Sequence, residues 1–123
     1  MTTLTEAMHE GEFIGELAMG PGYHVDAGTL IGGQNCVAGT VTGMITASSK
    51  DTILAPGASD GSQNVSGIIV PNCNATSADT KTRFLRRGPA IVNGNDLTWP
   101  GGITTNQKTA AIAQLMALGI KVA

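Results

Sequence analysis

The chain has 123 residues, 41% of them hydrophobic and 13% charged, with a formal net charge of −2 at pH 7. That length suits one domain around one modest core, and the charged share is about half the usual figure. Aromatic residues make up only 3%, which argues against base-stacking platforms and aromatic-lined sugar sites, and the small negative charge offers no general attraction to a phosphate backbone.

Thr, Ser, Asn, Gly and Ala take the place of charge. Such a surface is less guarded against self-association, and it fits either a chain that lives in an assembly or a merely polar monomer. The first Lys or Arg is Lys50, so the sequence lacks the positive n-region of a secretory signal. Its longest mainly apolar stretch, residues 110–120, is too short to span a bilayer and contains Gln114. A soluble protein made in the cytoplasm, with no membrane partner, is expected.

Residues 1–20 read as an N-terminal arm, and residues 21–123 as one β-rich domain. Four of the nine acidic residues fall in the arm, at Glu6, Glu10, Glu12 and Glu16. Gly11, Gly15 and Gly20 make a helix costly there, and Gly20-Pro21-Gly22 punctuates arm from body. The arm is either a frayed terminus or a segment that orders on a partner. Phe13-Ile14, an apolar anchor between acids, suits the second reading.

Short strands and turns follow. Tyr23-His24-Val25 reads as a strand, Asp26-Ala27-Gly28 as a turn, Thr29-Leu30-Ile31 as a second strand and residues 32–35 as a further turn or bulge. Residues 37–46 form a strand rich in β-branched residues, with bends allowed at Gly39 or Gly43. The chain turns at 48–51 and pairs back through Thr52-Ile53-Leu54. Residues 56–64 are a loop of turn formers. Residues 66–70 make an apolar strand that stops at Pro71, and 72–74 extend it less strongly.

Residues 80–87 hold four of the seven basic residues: Lys81, Arg83, Arg86 and Arg87. Alternation leaves both faces of this strand mixed, as on an edge strand or one covered by another subunit. With no basic helix or phosphate loop beside them, these cations read as salt-bridge partners or a solvated edge rather than a nucleic-acid site. Ala90-Ile91-Val92 and Leu97-Thr98-Trp99 flank Asn93-Gly94, which predicts a hairpin. Thr104 with Gln107 fits a capping box. Ala111, Ile112, Leu115, Met116 and Leu118 then form an apolar helical stripe, Gly119 suits a left-handed C-cap, and residues 120–122 alternate as a last strand. At ~25 cal/mol per Å² of apolar area, burying that stripe contributes several kcal/mol.

No catalytic constellation stands out. His9 and His24 lack partners at metal-ligand spacing, apart from acids strewn through the arm. His9-Glu10 is not an HExxH helix, and GxSxG, P-loop and GxGxxG motifs do not occur. Asp60-Gly61-Ser62 is one acid in a loop, too few for calcium. Cys36 and Cys73 form no CxxC and have no neighbouring base. They are expected as buried or half-buried free thiols, with a disulfide as the alternative. The reading is a non-enzymatic chain without cofactor or metal.

Four stretches resemble one family. His9-Glu10-Gly11-Glu12-Phe13-Ile14 resembles its N-terminal "PGEF" segment. Ala58-Ser59-Asp60-Gly61-Ser62, leading into Ser66-Gly67-Ile68-Ile69, resembles its "ASDGS" loop and following strand. Arg87-Gly88-Pro89-Ala90-Ile91-Val92-Asn93-Gly94 is similar to its "R.A.VNG" stretch. Leu97-Thr98-Trp99-Pro100, then Gln107-Lys108 and residues 110–120, complete the match in order and spacing. The family is that of the head decoration proteins of tailed bacteriophages, of the lambda decoration-protein type.

The resemblance implies a mainly β fold with one C-terminal helix, of β-clip or β-tulip kind, carrying an extended arm. It implies a homotrimer at local three-fold positions on the outer surface of the expanded capsid, holding the head against the pressure of packaged DNA. Its partners would be its own copies and the major capsid protein, with no direct nucleic-acid contact, after synthesis in the bacterial host cytoplasm. The family's arm is disordered when free and adds to strands of the capsid protein. Carried over, Glu12, Phe13 and Ile14 become the expected capsid contacts. Another small β-rich virion accessory, from tail or spike, is the alternative. A small hydrolase or ligand-binding domain is a third reading, which would need His9 and His24 for activity.

Overall fold

Short β-branched runs broken by Gly, Pro and Asn form strands too brief to stand alone, so each must find partners in a sheet. A computed structural model describes residues 14–17 and 21–123. In chain order the strands are β1 (Ile14–Leu17), β2 (Val25–Leu30), β3 (Gln34–Cys36), β4 (Val41–Ile45) and β5 (Lys50–Ile53). After these come β6 (Val65–Ile69), β7 (Cys73–Ala75), β8 (Thr80–Leu85), β9 (Ala90–Val92) and β10 (Ile120–Val122). A single turn of helix, α1 (Pro21–His24), precedes β2, and among the described residues the one long helix is α2 (Thr105–Ala117). The described residues are mainly β with a single substantial helix near the C-terminal end, as expected.

Five strands close a barrel in the order β2-β5-β4-β6-β8. The longest ladder runs antiparallel between β2 and β8, from Val25 opposite Leu85 to Leu30 opposite Thr80. Closure comes from a parallel pairing of Leu30 with Asp51. β1, β9 and β10 form a separate three-stranded sheet with β9 in the middle, and β3 and β7 form a two-stranded ribbon.

Adjacent residues of β6 and β8 feed two different cores. Ile68 and Leu85 join Val41, Leu54, Val92, Leu97, Ala111, Leu115 and Ile120 in a cluster that includes α2. Ile69 and Phe84 join Leu30, Cys36, Cys73 and Ala75 in a second cluster with the β3–β7 ribbon. This corrects the edge-strand reading of 80–87. β8 lies between β2 and β6. Its faces are mixed because its Phe84-Leu85 end is buried on both sides.

The segment 23–31 also departs from expectation. Tyr23 and His24 end α1, and Asp26-Ala27-Gly28 continues β2 instead of turning. Gly28 is there for space: a Cβ would come within 2.8 Å of both Arg86 Nη2 and the Phe84 ring. The hairpin around Asn93-Gly94 is overturned too. The Asn93 carboxamide accepts the Asn95 N–H at 3.0 Å and sets up a 3-10 turn over Gly94–Asp96. Gly94 N–H donates to the carbonyl of Ala123, while Thr98 exchanges hydrogen bonds with Gly39 and Val41. β9 pairs instead with β1 and β10.

The C-terminal helix follows the sequence closely. Thr104 Oγ1 accepts the Gln107 N–H at 3.1 Å, and Gln107 Oε1 accepts the Thr104 N–H at 3.0 Å. Ala111 and Leu115 are buried, Ile112 and Leu118 are half-buried, and Met116 is 55% exposed. The buried line 111-115-118 has helical spacing, and Met116, one position past Leu115, is rotated away by about 100°. Gln114 fastens the helix to the start of β6 by accepting the Val65 N–H at 2.8 Å.

Candidate functional site

The region that bears on the expected contacts is where the segment beginning at Ile14 meets the body. The segment read as an arm enters the sheet at Ile14. Ile14 lies opposite Val92 and Leu17 opposite Ala90, with a register shift between Ile14 and Glu16. Ile14 is half-buried against the cluster that contains Val92 and Leu115. β1 stands at one edge of its sheet and β10 at the other. Glu12, Phe13 and His9 lie outside the described residues.

The chain is gripped a second time just downstream. His24 is fully buried, and its Nδ1 lies 3.0 Å from the carbonyl oxygen of Arg87. Arg86 N–H donates to the His24 carbonyl at 2.9 Å. The Arg87 guanidinium donates to the Tyr23 carbonyl and to both Asp26 carboxylate oxygens. Its Cζ lies 5.8 Å from the centroid of the Tyr23 ring, itself 48% exposed. Residues 86–92 therefore receive the N-terminal segment on both sides, with β1 along β9 and α1 against Arg86 and Arg87. Sequence reasoning missed this clasp. Its signal was the basic run Lys81, Arg83, Arg86 and Arg87, read as salt-bridge partners or a solvated edge; Arg86 and Arg87 take the first role, with Asp51 and Asp26.

Three carboxylates on the surface are tuned by what donates to them. Asp26 is held below the ordinary range chiefly by its hydrogen bonds from Arg87. Asp79 is lowered by Lys50 Nζ, at 2.5 Å, and by the Gly32 N–H, at 2.7 Å. Asp60 is lowered by the hydroxyl and backbone N–H of Ser62. Each folded-state value lies below the unfolded one, so each contribution is present above the unfolded pKa and lost as pH falls through the folded value. Thermal melts should accordingly be flat from pH 7 to about 5 and fall steadily below about pH 4. A melting temperature unchanged down to pH 3 would contradict this. The groups are solvent-exposed, so the individual effects are small.

Among the described residues no group of three or more His, Cys, Asp or Glu side chains could hold a metal ion. Among the described residues, no helix is long and apolar enough to cross a membrane. Asp51 on β5 is fully buried and ion-paired with Arg86, and Arg87 is ion-paired with Asp26. These groups hold elements together. Compared with curated proteins one by one, the chain matches none. A family model described as bacteriophage lambda head decoration protein D matches residues 3–120. That match takes in β1, the whole barrel, the Arg87 clasp and α2, and the chain belongs to the bacteriophage lambda head decoration protein D family.

Proposed function

We propose that this protein is a structural cement of the phage head. It binds as a homotrimer to the outer surface of the expanded capsid, at local three-fold positions, and stiffens the shell against packaged DNA. The family match over residues 3–120 carries this reading. It acts through contact alone, with neither chemistry nor nucleic acid as a partner, and is made in the host cytoplasm before it meets the head.

The geometry of the arm root supports the mode of attachment. Ile14 is paired opposite Val92 in β1, at one edge of its sheet. A strand of the major capsid protein joining that edge would gain backbone hydrogen bonds for affinity and side-chain pockets for register. Glu12, Phe13 and Ile14 are the contacts assigned to it.

Deleting residues 1–13 while keeping β1 tests this directly. The truncated protein should melt within a few degrees of the full chain and remain trimeric by light scattering, yet lose sedimentation with expanded heads. Undiminished binding by the truncated protein would refute the role given to Glu12 and Phe13. Cryo-electron microscopy of decorated particles then locates the protein. Density on local three-folds supports the reading, and density only on the tail replaces it with a tail accessory role.

A further inference from the structure

Cys36 and Cys73, far apart in sequence, are direct partners on the antiparallel β3–β7 ladder. Both are free thiols, 2% and 6% exposed, in one apolar cluster with Leu30, Ile69 and Phe84. Residues directly opposite on such a ladder have Cα atoms about 4.5–5.5 Å apart. A disulfide accepts about 4.4–6.8 Å, so the register of the ladder sets the two backbones at a spacing a disulfide can bridge. An open groove lined by Pro71, Asn74, Lys81 and Arg83 runs beside Cys73. It gives small molecules a route to this end of the ribbon, and its two cationic residues suit an anionic one.

We propose that Cys36 and Cys73 form a latent cross-strand disulfide, open while the protein is in a reducing cell and closed by a small anionic disulfide such as oxidised glutathione. The Cys73 thiolate attacks one sulfur of the oxidant, and the first glutathione leaves as thiolate. The Cys36 thiolate then displaces the second glutathione from the mixed disulfide on Cys73. Two protein thiols and one oxidant become one protein disulfide and two glutathione thiols, which carry away both protons. Burial and the neighbouring Cys73 push the Cys36 thiol up to about 11, so Cys36 is the poorer first nucleophile and acts second.

The bond would close a loop that runs from β3 to β7 and encloses β4, β5 and β6, three of the five barrel strands. Cross-linking a loop of this length restricts the unfolded chain and should raise the melting temperature on the order of 10 °C. The proposal is independent of how the protein attaches to the head.

The test uses the full-length folded protein, incubated at pH 8 in oxidised glutathione and then analysed by intact mass and by thiol titration in denaturant. The expected product has lost two hydrogens and both titratable thiols, runs as a single chain on a non-reducing gel and melts higher. Cys36→Ser should trap one glutathione on Cys73, and Cys73→Ser should leave Cys36 unmodified while folded. Persistence of both thiols, addition of two glutathiones, or a disulfide-linked dimer would each overturn the proposal. So would an equal rise in melting temperature in a Cys36→Ser, Cys73→Ser double variant.

Discussion

Asp51→Ala should lower stability by about 3–5 kcal/mol, the usual cost of stripping one partner from a buried ion pair. Asp51 is fully buried on β5, and its carboxylate accepts Arg86 Nη1 at 2.7 Å and Nη2 at 2.9 Å. Ser66 Oγ on β6 donates to it at 2.8 Å, and Thr42 Oγ1 on β4 lies 3.2 Å away. One carboxylate thus ties three barrel strands to the end of β8. Without it the two hydroxyls keep other acceptors, Thr42 at the Gly67 carbonyl and Ser66 at the Thr42 carbonyl. Arg86 does not fare as well. Its side chain is 13% exposed and would retain the Ser66 carbonyl and the face of Phe84, 4.5 Å away, against a full positive charge. The uncompensated guanidinium is the main loss, so the effect should resist added salt, which screens buried pairs poorly. Urea denaturation of Asp51→Ala, Arg86→Met and the double variant Asp51→Leu, Arg86→Met measures it. The double variant should be more stable than Asp51→Ala, because an apolar pair leaves no orphaned charge. A loss below about 1 kcal/mol for Asp51→Ala would mean the barrel does not depend on this pair.

That network marks the limit of what the sequence discloses. Local signals translated well where a residue's partner lies within a turn. Thr104 and Gln107 are three apart, Gly119 caps the helix they begin, and the turn read at 48–51 does return β4 on β5, though it lies at 46–49 with Lys50 and Asp51 already in β5. Failures came where a distant partner outbid the local preference. Asp26-Ala27-Gly28 has turn chemistry, yet the ladder with β8 and the space needed by Phe84 and Arg86 hold it extended. Asn93-Gly94 has hairpin chemistry, yet β1 and β10 occupy both edges of β9. Alternation on β8 is uninformative because Phe84 and Leu85 enter different cores. The same rule covers the candidate site. Ile14 stands out locally only as an apolar residue among acids, and its pairing with Val92, across most of the chain, could not be read locally. Long-range pairing carries no local signature, since its stabilisation arises only after the loop is closed.

Gly88→Ala is expected to cost more than about 4 kcal/mol, a loss reserved for steric or buried-charge failures. A Cβ at Gly88 would lie 1.8 Å from the Gly119 carbonyl oxygen and 2.3 Å from its carbon. Both are backbone atoms, so no rotamer relieves the clash. Backing away is costly because this contact is where the C-terminal end of α2 is joined to the strands. Gly88 N–H donates to the Leu118 carbonyl at 2.9 Å, and Ala90 N–H donates to the Gly119 carbonyl at 3.1 Å. Directly beyond it, Ile120 pairs with Ala90 to align β10 along β9. Separating the two backbones would therefore loosen the α2–β10 corner and, through β9, the strand that holds Ile14. Gly119 provides the internal comparison. Its φ of +87° is in the left-handed region, where alanine costs roughly 1–2 kcal/mol. Its Cβ would stand 3.1 Å from Gly88 Cα, a crowding that small shifts can absorb. Gly88→Ala should thus fall well below Gly119→Ala in melting temperature, by on the order of 10 °C, and should also show reduced sedimentation with expanded heads, because the arm root is anchored on the same strand. Equal melting temperatures for the two variants would show that the corner yields more easily than its backbone contacts imply.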